Sequence, residues 1–353
     1  MDDQARRNRL AELLGIEVPI VLGAFGGQSS VALTAAVSNA GGLGSFGLYG
    51  YDAGRISDTA AQLRAATDRP FALNIWLPVG DEVVPDDGYE QYASRLAPWF
   101  AEVGEPVPPR PERFTPSFEE QSEAVLEARP AVLSTVFGVP PRWLVEVAHE
   151  RGIRVVASAT TVAEAVALDR AGVDAVIATG PEAGGHRVSF LRAAEDSLVG
   201  TFALVPQVVD AVGVPVIAAG GIADRRGVAA AFALGASAAL AGTAFLVTAE
   251  SAVNDAHRAA IRAASDDGTV LTRAMSGRLA RGIRNRAVAG IEDAGTIAPF
   301  PAQNWITGRF RTPAAAQGRG ELQSLWMGQA APLARFDTAA EVFAELVAGV
   351  PAA

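Results

Sequence analysis

Eight short apolar runs, set apart by alanine-rich stretches of helical period, limit what this chain can fold into more than any other feature. The runs are PIVLGA (19–24), LGSFG (43–47), FALNIW (71–76), AVLSTVF (131–137), RVVASA (154–159), DAVIATG (174–180), PVIAAGG (215–221) and AALAGTAF (238–245). A strand with one face in water alternates apolar with polar residues; these runs hardly alternate, so both faces are expected to be covered, as in a parallel sheet flanked by helices. Eight such strands with helices between them predict an α/β fold, a closed (β/α)8 TIM barrel, with an open doubly wound sheet as the alternative.

Helix signals fall where that reading needs them. Thr161 followed by Glu164 predicts a capping box before VAEAVALDRAG, Asp224 predicts a cap on RRGVAAAFALGA, and Gly172 and Gly235 stand where those helices should stop. Residues 1–245 are accordingly assigned to the barrel. Within it, 78–130, with DEVVPDDG and EPVPPRPERFTP, is too long and proline-rich for a βα connection and is expected to cross the barrel mouth. Residues 246–325 read as a small helical lobe without further strands, and 326–353 as a segment whose helix, TAAEVFAELVAGV, returns to the body.

Composition removes several function classes. A formal charge of −10 offers no footprint for nucleic acid, and no apolar run approaches the roughly 18 residues of a membrane span. The absence of cysteine excludes disulfides, thiolate metal sites and a cysteine nucleophile, so redox chemistry would need a cofactor. His149, His186 and His257 lack ligand spacing, and no metal is expected. The opening MDDQARRNRL has no apolar signal core, which makes a cytoplasmic location the expectation; the subunit count stays open, a homodimer included.

In a barrel the chemistry lies at the C-terminal strand ends, and glycine gathers there: GAFGG, TGPEAGGH, AGG and AGT, with Asn74 closing another strand. Gly220 and Gly221 after the seventh run, with Gly242 and Thr243 after the eighth, offer bare N–H groups and a hydroxyl, the makings of a phosphate cradle; the alternative is that they only form tight turns. GPEAGGHR (180–187) holds His186 against bare backbone, where an imidazole of ordinary pKa, about 6.5, would work as base or proton donor. Glu182 either orients it or caps the loop backbone. His149 and His257 read as helix residues without a role, and Arg278, Arg281, Arg284 and Arg286 as ion-paired surface rather than a substrate clamp.

Taken in order, PIVLGAFGG, AAVSNAGGLGSFG, ALNIW, STVFGVP, ATGPEAGGHR, AAGGIADRRGVAAAFALGA, AGTAFLVTAES, GRLARGIRN and WMGQ resemble the motifs of the nitronate monooxygenase family, formerly 2-nitropropane dioxygenases, from about residue 15 to 330. That group also holds FMN-dependent enoyl-acyl-carrier-protein reductases and an NADH:quinone reductase. The resemblance implies FMN at the barrel mouth, its phosphate on Gly220, Gly221, Gly242 and Thr243 and its ring along Gly23, Ala24 and Phe25, near Asn74, Thr179, Gly184 and Gly185. It implies oxidation of a small alkyl nitronate or nitroalkane by dioxygen to a carbonyl compound and nitrite, with His186 as the catalytic residue. Arg187 would add positive potential, and Trp326 and Gln329 would serve as lid contacts or pack the C-terminal segment. The alternatives are an NAD(P)H-dependent reductase of a quinone or enoyl thioester, and a flavin-binding barrel without turnover. Three positions depart from the common family pattern: Ala24–Phe25 for Pro-Met, Thr179 for glutamine, and Ala244 for arginine.

Overall fold

The computed structural model describes residues 3–78 and 86–352. Each of the eight runs forms a strand: β1 (Ile20–Leu22), β2 (Gly44–Gly47), β3 (Phe71–Trp76), β4 (Val132–Val136), β5 (Arg154–Ala159), β6 (Ala175–Thr179), β8 (Val216–Ala219) and β9 (Ala238–Ala241), with β7 (Gly185–His186), β10 (Thr269–Thr272) and β11 (Ala280–Ile283) in a second sheet. The large sheet is parallel throughout, in the order β1-β9-β8-β6-β5-β4-β3-β2. A parallel bridge between Val21 and Leu43 joins its two ends, with Leu22 N–H on Leu43 O at 2.9 Å and Leu43 N–H on Ile20 O at 3.0 Å. The ring is therefore a TIM barrel rather than an open sheet.

Burial follows from covering both faces. Val21, Leu43, Ala72, Val132, Val156, Ile177 and Ile217 fill the interior, and Leu10 and Leu14 of the helix Asp3–Leu14 join that cluster. Arg9 reaches the carbonyl of Gly213, just ahead of β8, which places this helix as a plug at the N-terminal end of the barrel. The other face of the strands meets the helices in the largest apolar cluster, which includes Val342, Phe343 and Leu346 of the returning helix Ala339–Val347, closed by a Thr338–Glu341 capping box. Asp224 accepts from the backbone N–H groups of Arg226 and Gly227, and Gly172 and Gly235 sit at φ 83° and 91°, where glycine alone is unstrained.

Thr161 caps its helix as read from sequence, but Glu164 does not complete a box. Its carboxylate passes Thr161 and accepts from Thr160 N and Oγ1 and from Phe190 N and Leu191 N, all within 3.2 Å. A fully buried carboxylate thus ties the loop before residue 200 to the barrel.

Two further sequence expectations are corrected. Residues 246–325 are not purely helical: β10 and β11 pair antiparallel, and β11 pairs with β7 in the register Ala280↔His186 and Arg281↔Gly185. Four-residue strands carrying an arginine show no period; pairing with a segment almost a hundred residues away defines them. Between 78 and 130, the helix Phe118–Ala128 occupies the ordinary crossover position beside the helix Ala53–Ala66, so only the part before it departs from the barrel. There the helix Asp86–Val103 packs on the helix Ala302–Ala316 through pairs such as Phe100–Phe310, in a separate apolar core with Met275, Val288 and Ile306. Most of DEVVPDDG lies outside the described residues. Among the described residues no helix is long and apolar enough to cross a membrane.

Candidate active site

A cavity of about 810 Å³ opens between the C-terminal ends of the barrel strands and the second sheet. It lies toward the upper end of the roughly 300–1,000 Å³ typical of cofactor and ligand sites. Gly23, Ala24 and Phe25 after β1, Asn74 in β3, Thr179 in β6, and Gly184, Gly185 and His186 all line it. Gly220, Gly221, Gly242, Thr243 and Trp326 line it as well. Residues as far apart in sequence as Gly23 and Trp326 reach one chamber only because the barrel brings every strand end to one face.

The glycines are needed for shape. Gly220 and Gly221 turn at φ 104° and 75°, and a Cβ on Gly220 would lie 2.7 Å from Thr201 Oγ1. Thr243 Oγ1 accepts the N–H of Gly328 at 2.9 Å, which leaves its own proton to donate into the cavity. Asn74 spends its amide nitrogen on Ser134 O and Oγ at 3.2 and 3.0 Å, so its Oδ1 is the side available to a ligand donor. A bare backbone turn beside a hydroxyl suits a phosphate, and the acceptor at Asn74 suits a ring N–H; the residues fit a flavin mononucleotide.

GPEAGGHR works as a folded loop rather than a flexible one. A Cβ on Gly184 would fall 2.6 Å from Gly328 N and Met327 C, so the loop rests directly on the WMGQ backbone. Glu182 accepts from Thr201 N at 2.9 Å and Thr201 Oγ1 at 2.8 Å, which makes it a loop-to-helix cap and not the partner of His186. That partner is Ser276, with Oγ 2.8 Å from His186 Nε2. Ser276 gives its single proton to Arg278 O at 3.0 Å, so it accepts from the imidazole. Nε2 therefore carries the ring proton and Nδ1 the lone pair.

Trp76, Trp326 and Phe137 surround the imidazole at centroid distances of 5.0, 5.6 and 6.3 Å. Burial first, then the positive charges of Arg278 and Arg311, push its pKa down to about 3. The ordinary value assumed from sequence does not survive folding, because it depends on groups brought in by the second sheet and the helix Ala302–Ala316.

Two proposed contacts lie off the cavity wall. Arg187 is buried at 2 % exposure and donates to the carbonyls of Gly180 and Thr179 at 2.6 and 3.0 Å, bracing the loop from behind. Gln329 is exposed, its backbone N–H on Glu182 O at 2.9 Å. His149 is at the surface, 2.7 Å from Asp174. Arg284 and Arg286 are ion-paired, whereas Arg281 donates to the carbonyls of Pro181 and Thr269, and Arg278 lies over the rings of Phe137 and Phe300.

Other wall residues escape a sequence reading. His257 is buried on the cavity, with Nε2 2.9 Å from Trp326 O and Nδ1 3.0 Å from Gln28 Nε2. A carbonyl only accepts, so Nε2 is protonated and Nδ1 takes the Gln28 amide proton; burial pushes this pKa down to about 4. Tyr49 and Trp76 stack at 4.3 Å, and Asn304 donates to Tyr49 Oη at 3.0 Å. Asn304, Gly308, Arg311, Thr312 and Ala315 line the cavity from one stripe of the helix Ala302–Ala316, a spacing visible in sequence once a helix is assigned there.

Comparison with known proteins gives one consistent result. The family model described as nitronate monooxygenase matches residues 7–349. A nitronate monooxygenase of Pseudomonas aeruginosa is 41 % identical, over 96 % of this chain and 98 % of its own length. A probable nitronate monooxygenase of Staphylococcus aureus is 37 % identical over 97 % and 96 %. Among solved structures, the nitroalkane oxidase of Streptomyces ansochromogenes superposes with a TM-score of 0.86 at 35 % identity, covering 96 % of this chain and 97 % of that one. FabK of Thermotoga maritima does so with 0.76 at 32 %, covering 96 % and 94 %.

Proposed function

The chain belongs to the nitronate monooxygenase family, an enzyme family of flavin-dependent oxidoreductases, and from that premise we propose that it oxidises alkyl nitronates with dioxygen at a bound FMN, giving a carbonyl compound and nitrite. The observation that carries the reading is that His186, held at Nε2 by Ser276, lines the same cavity as the glycine and threonine cradle.

Each residue has a part. Gly220, Gly221, Gly242 and Thr243 would hold the phosphate, and Asn74 Oδ1 would accept from the ring, with Thr179 and the Gly23–Phe25 turn alongside. When bound, the flavin supplies the electron transfer between substrate and dioxygen. The protein's share is to bind, dry and orient the substrate beside it.

The depressed pKa of His186 decides between substrate forms. A general base works best with a pKa near the operating pH, and one held at about 3 is poorly matched to a carbon acid. The same two guanidinium groups that weaken the base attract an anion. A preformed nitronate is therefore the favoured substrate, its negative charge offsetting the field of Arg278 and Arg311. The neutral nitroalkane is the poorer substrate.

The likeness to FabK motivates a second reading, reduction by NAD(P)H. Anaerobic mixing with an alkyl nitronate, and separately with NADH and NADPH, separates the two by the flavin absorbance. A spectral change with nitronate alone, with oxygen uptake and nitrite release in air, is the expected result; bleaching by a nicotinamide alone would establish the reductase.

A further inference from the structure

The cavity does not stop at the strand ends; it continues down into the barrel. Along the neighbouring strands β3, β4 and β5 a polar residue near the mouth stands two positions beyond an aliphatic one: Asn74 beyond Ala72, Ser134 beyond Val132, and Ser158 beyond Val156. Residues two apart share one face of a strand, and all six line the cavity. The order recurs in β6, with Thr179 beyond Ile177. The chamber therefore has a polar collar near the mouth and an apolar pit below it. The aliphatic residues belong to the buried cluster that Leu10 and Leu14 close from the opposite end.

A flavin ring does not fit into that pit. The interior of an eight-stranded barrel is only wide enough for side chains, and the acceptor that suits the ring, Asn74 Oδ1, stands one layer higher. A smaller guest has room because of Ala72: bulky branched residues dominate such layers, and a methyl group reaches less far toward the axis. The side chains of Ala72, Val132, Val156 and Ile177 offer water no hydrogen bond. An apolar space of this kind stays dry and takes up small apolar molecules.

We propose that the pit bounded by Ala72, Val132, Val156 and Ile177 binds dioxygen, a small apolar co-substrate, below the collar that would hold the flavin. The inference rests on the proposed reaction for the use of dioxygen. The nitronate stays above, beside His186, because an anion placed among aliphatic side chains would leave its charge unpaired. Each reactant thus has its own compartment, and neither has to leave before the other enters.

Crystals of the FMN-loaded protein under xenon pressure locate the site directly. An anomalous xenon peak among these four residues is expected in the wild type, and Ala72→Leu, which fills the space, should abolish it. Function is read without any nitronate, by reducing the enzyme with dithionite and mixing it with dioxygen. Ala72→Leu should slow reoxidation by about tenfold, the effect of burying roughly two methylene-sized groups, which stand in for a diatomic guest. Val132→Thr keeps the shape of the pit and adds a hydroxyl that draws in water. It should slow the same step without the overpacking that could unfold the first variant. FMN affinity and the anaerobic response to nitronate should hold at wild-type values in both.

Absence of xenon from the pit, or wild-type reoxidation in a variant that has lost xenon, overturns the proposal. Xenon in the pit with slowed reoxidation in both variants upholds it even if the chain oxidises no nitronate. Nitronate oxidation with an unchanged reoxidation rate in both variants leaves the proposed reaction standing and removes the pit from it.

Discussion

His186 was legible from its neighbours in sequence, a histidine among glycines at a strand end, but its chemistry was not. The tautomer is set by Ser276, ninety positions away, and the low pKa by burial and two arginines from other elements. Because the folded pKa is about 3, the imidazole is neutral at every pH above that value, so kcat/KM for a nitronate should show no histidine limb between pH 5 and 8. A limb near 6.5 would mean that the imidazole is solvated. Ser276→Ala removes the acceptor that fixes Nε2–H and leaves a buried donor unpaired, a penalty of about 1–3 kcal/mol. Turnover of nitronate should fall by roughly tenfold or more with FMN content unchanged, and nitrogen NMR of the ring should report a mixture of tautomers. A single Nε2–H tautomer in the variant would remove Ser276 from that role.

The eight barrel strands could be read locally because each is an apolar run whose covering helices follow at once. The second sheet could not, since β7 has two residues and exists only through β11, and its loop is shaped by contacts with the WMGQ segment. That loop makes a sharp prediction. Gly184→Ala places a methyl 2.6 Å from the backbone of Met327 and Gly328, which neither backbone can avoid without moving His186. Loss of activity by about 100-fold or more is expected with the barrel's circular dichroism preserved, in line with the cost of misplacing a catalytic group by about 1 Å. Wild-type kcat in Gly184→Ala would show that the two segments do not touch in the working enzyme. Glu164 ties another part of the same face: Glu164→Ala strands donors at residues 160, 190 and 191 and should cost about 3 kcal/mol or more in chemical denaturation. Glu164→Gln should recover part of that loss, because its single carbonyl oxygen still accepts.

At the scale of the molecule, the two cavity histidines link stability to pH. In the unfolded chain both titrate near 6.5; in the fold His186 is held at about 3 and His257 at about 4, each by burial first. The folded state therefore binds fewer protons than the unfolded one wherever pH lies below 6.5 and above these values, and stability must fall as pH falls. The contribution is fully present above pH 6.5, and by pH 5 about 2 kcal/mol should be lost for each histidine, at 1.36 kcal/mol per unit of pKa displacement. Relief of charge repulsion acts in the opposite sense, since the chain carries −10. It is weak in this window, because the carboxylates remain largely ionised and only three histidines are present to change the charge. Thermal unfolding at constant ionic strength should then show a lower Tm at pH 5 than at pH 7, and His257→Gln, which keeps an amide able to bridge Gln28 and Trp326, should lose about half of the difference. A Tm that holds level or rises from pH 7 to 5 would mean that both rings accept protons in the folded protein, and with that the base at the centre of the cavity would be a stronger one than its surroundings imply.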